Sequence, residues 1–232
     1  MTTVIVLAGG SGTRLGAAIP KQFLLVKNKP ILVYSLEAFQ QHPMVDEIIV
    51  VCISGWENAV NAIANNYHID KLTRVLRGGD SAIKSIAIGA NSVVGSPDDI
   101  IVIHDGVRPL IEQKMITDAI EKAKLHGAAM STTPLKEHIF VMDDRGFASS
   151  YLPRENSFRS STPQAYRASI LKNALQNGKT LKTAYASTLM VDSGIQLIPS
   201  YGSERNFKIT TREDVALFSA LLQAMEKDET EN

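Results

Sequence analysis

A single cysteine, Cys52, is all that the 232 residues contain, and one thiol builds neither an internal disulfide framework nor a cysteine-rich metal site. It lies in the apolar run Ile48-Ile49-Val50-Val51-Cys52-Ile53, which marks it as a core thiol. Net charge is missing as well. The 24 Lys and Arg balance the 24 Asp and Glu, so no global field draws the chain to nucleic acid or to an anionic membrane surface. An anionic ligand must therefore be held by a local cluster of positive groups. No stretch approaches the roughly 20 apolar residues that cross a bilayer. Met1 to Gly10 lacks the basic start of a secretory leader, so its short apolar run is expected to be a buried strand and the protein cytoplasmic. Repeats and low-complexity tracts are absent too.

What is present is ordinary for a globular α/β protein: 44% hydrophobic and 21% charged residues. Thr3 to Ala8, Glu47 to Ile53 and Ile100 to Ile103 are short, wholly apolar runs, the mark of strands covered on both faces. Pro30 to Phe39, Trp56 to Asn65, Ser81 to Val93 and Leu110 to Leu125 carry helical spacing between and after them. This alternation predicts a mostly parallel sheet with helices on both faces. Gly127 to Thr133 is expected to be a further strand. The pattern then breaks: Ile139-Phe140-Val141-Met142 and Phe147-Ala148-Ser149-Ser150-Tyr151 flank the turn-forming Asp143-Asp144-Arg145-Gly146. A two-stranded arm is marginal by itself, and a second subunit is its natural support. Helix at Arg167 to Gln176, strand at Ile195 to Pro199 and a last helix from Arg212 to about Lys227 complete the expected core. The whole is one domain over residues 1–232, with an arm at about 136–158.

Four clusters carry chemistry. The first is Ala8-Gly9-Gly10-Ser11-Gly12-Thr13-Arg14, followed by Pro20-Lys21-Gln22. Glycines directly after the first strand let the backbone approach a ligand and aim N–H groups at phosphate, while Arg14 and Lys21 add the positive charge a triphosphate needs. No Gly-Lys-Ser/Thr closes this loop as in a Walker motif, and the glycine spacing is not that of a dinucleotide fingerprint. The second is His104-Asp105-Gly106-Val107-Arg108-Pro109, at the carboxyl end of a strand where open α/β sheets bind ligands. Asp105 is placed to hold Mg²⁺, a hard cation that takes oxygen ligands; His104 is better explained by packing. The third is Arg77-Gly78-Gly79-Asp80-Ser81 with Ser85 on the next helix, equally a helix start or a contact to base and ribose. The fourth is Asn206-Phe207-Lys208-Ile209-Thr210. Its Lys208, expected inside an apolar strand, needs a buried anion: a bound phosphate or a carboxylate.

In this order the motifs resemble the 2-C-methyl-D-erythritol 4-phosphate cytidylyltransferases and, equally, the ribitol-5-phosphate cytidylyltransferases, from about Val4 to Phe218. Arg154 and Thr162-Pro163-Gln164 belong to the same ordered set. The resemblance implies a Rossmann-like three-layer α/β/α nucleotidyltransferase fold with a protruding β-arm, and a homodimer joined through the arms. It implies CTP and a small polyol phosphate as substrates, with Mg²⁺ as cofactor, and for the first group a role in isoprenoid biosynthesis. Arg14, Lys21 and Lys208 then contact the triphosphate. Ala8, Gly9, Gly10, Gly12, Gly79, Asp80, Ser85 and Gly106 frame the nucleotide, while Asp105, Arg108, Arg154 and Thr162 take the acceptor. Where these families carry Thr-Asp-Asp or Thr-Asp-Glu beside the polyol, this chain has Ala184-Tyr185-Ala186. An arginine expected after Asp80 is also missing, with Lys84 as its nearest substitute. A hexose- or hexitol-phosphate nucleotidyltransferase and a non-catalytic nucleotide-binding relative remain the alternatives.

Overall fold

A computed structural model describes residues 1–10, 19–177 and 185–230. In chain order the elements begin with β1 (Thr2–Ala8), a 3-10 turn (Lys21–Phe23), β2 (Leu25–Val26), β3 (Lys29–Pro30), α1 (Ile31–Gln40), β4 (Glu47–Cys52) and α2 (Glu57–Asn66). They continue with β5 (Leu72–Arg77), α3 (Ala82–Ser92), β6 (Ile100–Asp105), α4 (Gln113–His126) and β7 (Ala128–Pro134). The arm is β8 (Ile139–Met142) and β9 (Ala148–Leu152); then follow β10 (Phe158–Arg167), α5 (Ala168–Asn177), α6 (Ala186–Asp192), β11 (Ile198–Tyr201) and α7 (Arg212–Thr230).

Seven strands form one sheet in the order β11-β7-β10-β6-β1-β4-β5. All neighbours are parallel except β10, which runs antiparallel to both β6 and β7. Side-chain alternation divides the apolar strands between two cores. Val4, Val6, Ile48, Val50, Ile100 and Val102 face a core closed by Leu36 and Phe39 of α1 and Met115 and Ile116 of α4. Ile5, Ile49, Val51, Ile101 and Ile103 face the other, closed by Ile83 and Ile86 of α3 and Leu171 of α5. This is the expected mostly parallel three-layer arrangement. Cys52 is fully buried, and burial pushes its thiol up to about 11.

Several expectations need correction. β5 and β10 were not foreseen, nor was α6, and the last sheet strand lies at Ile198–Tyr201 rather than Ile195 to Pro199. β5 is an edge strand without a continuous apolar run (Leu72-Thr-Arg-Val-Leu-Arg77), so it lacks the signal of a doubly covered strand. β10 contains Pro163 and departs from regular pairing: Ser160 faces Thr132 while Gln164 faces Met130, so the stretch between them bulges out of the ladder. Lys208 is not in a strand; residues 205–210 belong to neither a helix nor a strand.

The hairpin β8–β9 is where the pattern placed it. Asp143 accepts from the amides of Arg145 and Phe147 at 3.0 Å each, and Gly146 takes the left-handed φ of +85° that closes the turn. Every residue of both strands is exposed, including Phe140 (58%), Met142 (59%) and Tyr151 (65%).

Candidate functional site

β1 and β6 are adjacent and in register, Leu7 opposite Asp105, so the glycine loop and the Asp105 turn leave the sheet side by side. Gly106 makes that junction. Its amide donates to the Leu7 carbonyl at 2.9 Å, and an added Cβ would lie 2.7 Å from Leu32 Cδ1 and 3.0 Å from Val6 Cγ1. Only glycine fits there, so Gly106 serves packing and does not border the cavity beyond the strand ends. That cavity, of about 360 Å³, is bordered by Ala8, Gly9, Gly10 and Lys21 on one side. Gly79, Asp80 and Ser85 border it on another, and Asp105 and Lys208 form its floor.

Each wall is fixed locally. The Ser85 hydroxyl accepts from the Gly79 amide at 3.1 Å and donates to the Ser81 carbonyl at 3.0 Å, so its hydrogen is used in holding the loop. Ser81 caps α3 by accepting from Lys84 N (3.3 Å), and Lys84 Nζ pairs with Asp80 at 2.7 Å. Gln22, in the turn with Lys21, donates to the Ala8 carbonyl at 2.6 Å; its own amide oxygen is buried and unpaired. Lys21 is 9% exposed, and its Nζ donates to the Ile209 carbonyl at 2.7 Å.

Asp105 is held between two cations. Lys208 Nζ donates to one carboxylate oxygen at 3.0 Å and Arg108 Nε to the other at 2.9 Å. Burial raises the Asp105 carboxyl, but the Lys208 and Arg108 charges outweigh it and hold it below the usual carboxylate value. It is therefore ionised, and the trio carries one net positive charge. Lys208 is itself fixed from its own segment. Ile209 is fully buried and donates its amide to the Val107 carbonyl at 2.9 Å. Asp214 accepts from the amides of Thr210 and Thr211 (2.7 and 2.8 Å), and Thr211 Oγ1 accepts in return from Asp214 N at 3.3 Å. This reciprocal cap pins the start of α7 behind Lys208.

Thr162, which the resemblance put on the acceptor's phosphate, instead has its hydroxyl engaged. Oγ1 accepts from the Asp105 amide at 3.0 Å and lies 3.2 Å from His104 Nδ1. His104 Nε2 faces the Arg108 carbonyl at 3.2 Å, which can only accept, so Nε2 carries the hydrogen and Thr162 donates to Nδ1. Burial lowers the His104 ring to about 4, with Asp105 opposing, and it stays neutral. The ring is fully buried, in keeping with the packing role read from its position. Thr162→Val preserves shape while stripping partners from two groups. We expect a loss of about 1–3 kcal/mol, a Tm lowered by roughly 2–10 °C, and recovery in Thr162→Ser. Calorimetry checks this, and an unchanged Tm in the valine variant would remove the relay.

Beyond Asp105, on the β10–β7 side, lies a second cavity of about 220 Å³. Lys208 borders both cavities. Buried Asn206 and largely buried Arg108 line the second on its protein side, and the half-exposed Arg159 and Glu204, with Ser160 and Ser161, line it toward solvent. Arg159 pairs with Glu204 and reaches Thr133 Oγ1 at 3.4 Å. Both members of that pair are about half exposed (56% and 45%), so it contributes only about 0–1 kcal/mol to stability. Asn206 is 2% exposed and ties the parts together: Nδ2 donates to the Thr162 carbonyl at 2.6 Å, while its backbone carbonyl accepts from Arg108 Nη1 at 2.9 Å.

The structure thus brings together Ala8, Gly9, Gly10, Lys21, Gly79, Asp80, Ser85, Asp105, Arg108 and Lys208. Gly12, Arg14 and Ala184 lie outside the described residues. Arg154 is not at either cavity of its own chain; it sits exposed in the arm, its Nη1 donating to the Lys136 carbonyl at 3.4 Å. Of the unusual stretch, Tyr185 is 61% exposed and Ala186 is buried. Sequence reasoning missed Arg159, Ser160, Ser161 and Glu204 altogether. No group of three or more His, Cys, Asp or Glu able to hold a metal occurs among the described residues. One carboxylate flanked by cations fits an ion carried in on substrate phosphates rather than one caged by protein.

The sequence profile of the 2-C-methyl-D-erythritol 4-phosphate cytidylyltransferases matches residues 2–224. A ribitol-5-phosphate cytidylyltransferase of Lacticaseibacillus paracasei is 41% identical over 233 residues, covering 97% of this chain and 100% of that protein. A 2-C-methyl-D-erythritol 4-phosphate cytidylyltransferase of Clostridium novyi is 35% identical, over 94% of this chain and 95% of its own. The solved structure of 4-diphosphocytidyl-2C-methyl-D-erythritol synthase from Anaerococcus prevotii superposes with a TM-score of 0.83 at 24% identity, covering 96% of this chain and 98% of that one. At that identity the likeness speaks for the fold.

Proposed function

The chain belongs to the 2-C-methyl-D-erythritol 4-phosphate cytidylyltransferase family, and from that premise we propose that it transfers the cytidylyl group of CTP to ribitol 5-phosphate. The observation that carries the reaction is the meeting of two cavities at Lys208 beside Asp105. CTP occupies the larger, its phosphates against the glycine loop and Lys21. The acceptor occupies the smaller, its phosphate at Lys208 and Arg108. An acceptor phosphate oxygen attacks the α-phosphorus and forms a new O–P bond. The bond between the α-phosphorus and the bridging oxygen breaks, and its electron pair leaves with pyrophosphate. A phosphate dianion needs no base, so positioning and cationic stabilisation of the α-phosphate supply the catalysis. Lys21 and Lys208 provide the charge, and Asp105 fixes Lys208 in place. Mg²⁺ is part of the proposal: Asp105 and the CTP phosphates would hold it, and it would neutralise triphosphate oxygens.

Ribitol 5-phosphate is preferred because the relative at 41% identity carries that acceptor in its name, against 35% for the methylerythritol relative. The same comparison weighs against a role in isoprenoid biosynthesis. A cytoplasmic homodimer completes the reading. The exposed apolar arm supplies the contact surface, and Arg154 on it would reach the partner's acceptor cavity. No helix among the described residues is long and apolar enough to cross a membrane.

Pyrophosphate release is the direct test, with CTP, Mg²⁺ and a panel of ribitol 5-phosphate, methylerythritol phosphate, glycerol phosphate and hexitol phosphates. We expect ribitol 5-phosphate to give the highest kcat/KM, by roughly tenfold or more over the methyl-branched acceptor. The reverse preference would replace the acceptor and keep the reaction. Silence across the panel would remove the reading.

A further inference from the structure

The outer half of the smaller cavity has no part in the chemistry just described, and its lining is chemically specific. Arg159, Glu204, Ser160, Ser161 and Ser203 contribute charge and hydroxyls there, and among the described residues Phe207 is the one apolar residue on its wall. Resting on the cytidylyltransferase reading, we propose that Arg159 and Glu204, with the hydroxyls of Ser160 and Ser161, form a subsite that reads the hydroxyl groups of the acceptor's tail. This subsite selects an unbranched polyol over a methyl-branched one.

The direction of the acceptor follows from Lys208. Because Lys208 borders both cavities, the reacting phosphate lies at that inner end. The carbon chain must then run away from the nucleotide, over the bulged part of β10. Pairing with β7 is regular as far as Ser160 and shifts register between Ser160 and Gln164, and at this irregularity the adjacent Ser160 and Ser161 both border the cavity. Arg159 and Glu204 meet at the far end, their side chains paired across 45 positions of sequence.

A polyol hydroxyl both donates and accepts, so a surface that reads a row of them needs donors and acceptors in alternation. Arg159 supplies N–H donors, Glu204 supplies carboxylate acceptors, and the serines supply both. Lys136 Nζ, 3.5 Å from Glu204, adds a second cation beside the carboxylate. Burial raises the Glu204 carboxyl, but Arg159, with Lys136 behind it, outweighs burial and holds it below its usual value as an acceptor. A methyl branch laid on this surface displaces water and leaves a donor or acceptor unpaired, which an apolar wall would not penalise. The exposure of the Arg159–Glu204 pair fits the same reading: it is weak enough to open around a ligand, and the loop it joins is already fixed by Asn206.

The test compares wild type with Arg159→Ala, Arg159→Lys and Glu204→Gln. It measures kcat and KM for CTP and for the acceptor, with ribitol 5-phosphate and methylerythritol phosphate as the paired probes. Both positions are exposed enough for the variants to fold, and circular dichroism checks that. Arg159→Ala and Glu204→Gln are expected to raise the ribitol 5-phosphate KM by roughly tenfold and to lower the ribitol-to-methylerythritol ratio of kcat/KM by a similar factor. The CTP KM should stay within about twofold. Unmoved acceptor KM and ratio would overturn the subsite, as would parallel losses toward both acceptors. Arg159→Lys keeps the charge without the planar fork, so a wild-type ratio in that variant would overturn hydroxyl reading in favour of charge attraction alone. A wild type inactive on every polyol phosphate fails at the earlier step, and the subsite falls with the cytidylyltransferase reading itself.

Discussion

Replacing Lys208 by alanine is expected to lower kcat/KM by about 10²–10³ and to raise the KM of both substrates. The double effect follows from position. Among the described residues Lys208 borders both cavities and also bonds Asp105, so in the proposed reaction its ammonium would face the α-phosphate from the acceptor's side. A residue confined to one cavity would move one KM. Folding should survive. The Lys208 side chain is 37% exposed, Asp105 keeps its bond to Arg108, and the segment remains anchored by buried Ile209 and the Asp214 cap. After discounting for solvent, the lost pair costs of the order of 1 kcal/mol. Lys208→Arg should restore part of the activity, because charge survives while the point-like geometry does not. Steady-state kinetics with each substrate varied in turn decides it. An alanine variant turning over at near the wild-type rate would place the reaction elsewhere.

Lys208 also shows what a sequence conveys and what it withholds. The doubly covered strands β1, β4 and β6 announced themselves, because burial on both faces demands unbroken apolar runs. The arm was legible too, since Asp143 to Gly146 carries its turn chemistry locally. Lys208 drew attention as a lysine among apolar neighbours, and the carboxylate beside it is Asp105, 103 positions away. Nothing local encodes that distance. The same applies to Thr162. Its hydroxyl looked available for a phosphate, and only the fold of β10 against β6 turns it onto the Asp105 amide and the His104 ring. Arg159, Ser160 and Ser161 gave no signal, because a bulged strand containing a proline lacks the two-residue period that marks a strand. Glu204 lies in a loop with no pattern at all. The larger cavity is bordered mainly by local turns, whose glycines and Lys21 stand out in the sequence, whereas Arg159, Ser160, Ser161 and Glu204 reach the smaller one only through chain crossings that no local pattern encodes.

Lys21→Met should be the most damaging single change, lowering turnover by about 10²–10⁴, while the lost bond to the buried Ile209 carbonyl costs about 1–3 kcal/mol of stability. Methionine is chosen over alanine because the Lys21 stem is packed. The side chain is only 9% exposed, and an added Cβ on Gly10 would lie 3.8 Å from Lys21 Cε. Alanine would leave a cavity and mix a packing cost with the charge effect, whereas methionine keeps the volume and removes the ammonium. Burying a lysine is costly unless its charge is compensated. From the 3-10 turn Nζ reaches the Ile209 carbonyl, and Lys21 borders the larger cavity. In the proposed reaction Lys21 and Lys208 would approach the α-phosphate from separate elements, one before α1 and one before α7, so neither would compensate for the loss of the other. The decisive comparison is kcat in Lys21→Met and Lys21→Ala beside their melting temperatures. A well-folded methionine variant with near-normal turnover would remove charge stabilisation by Lys21 from the mechanism.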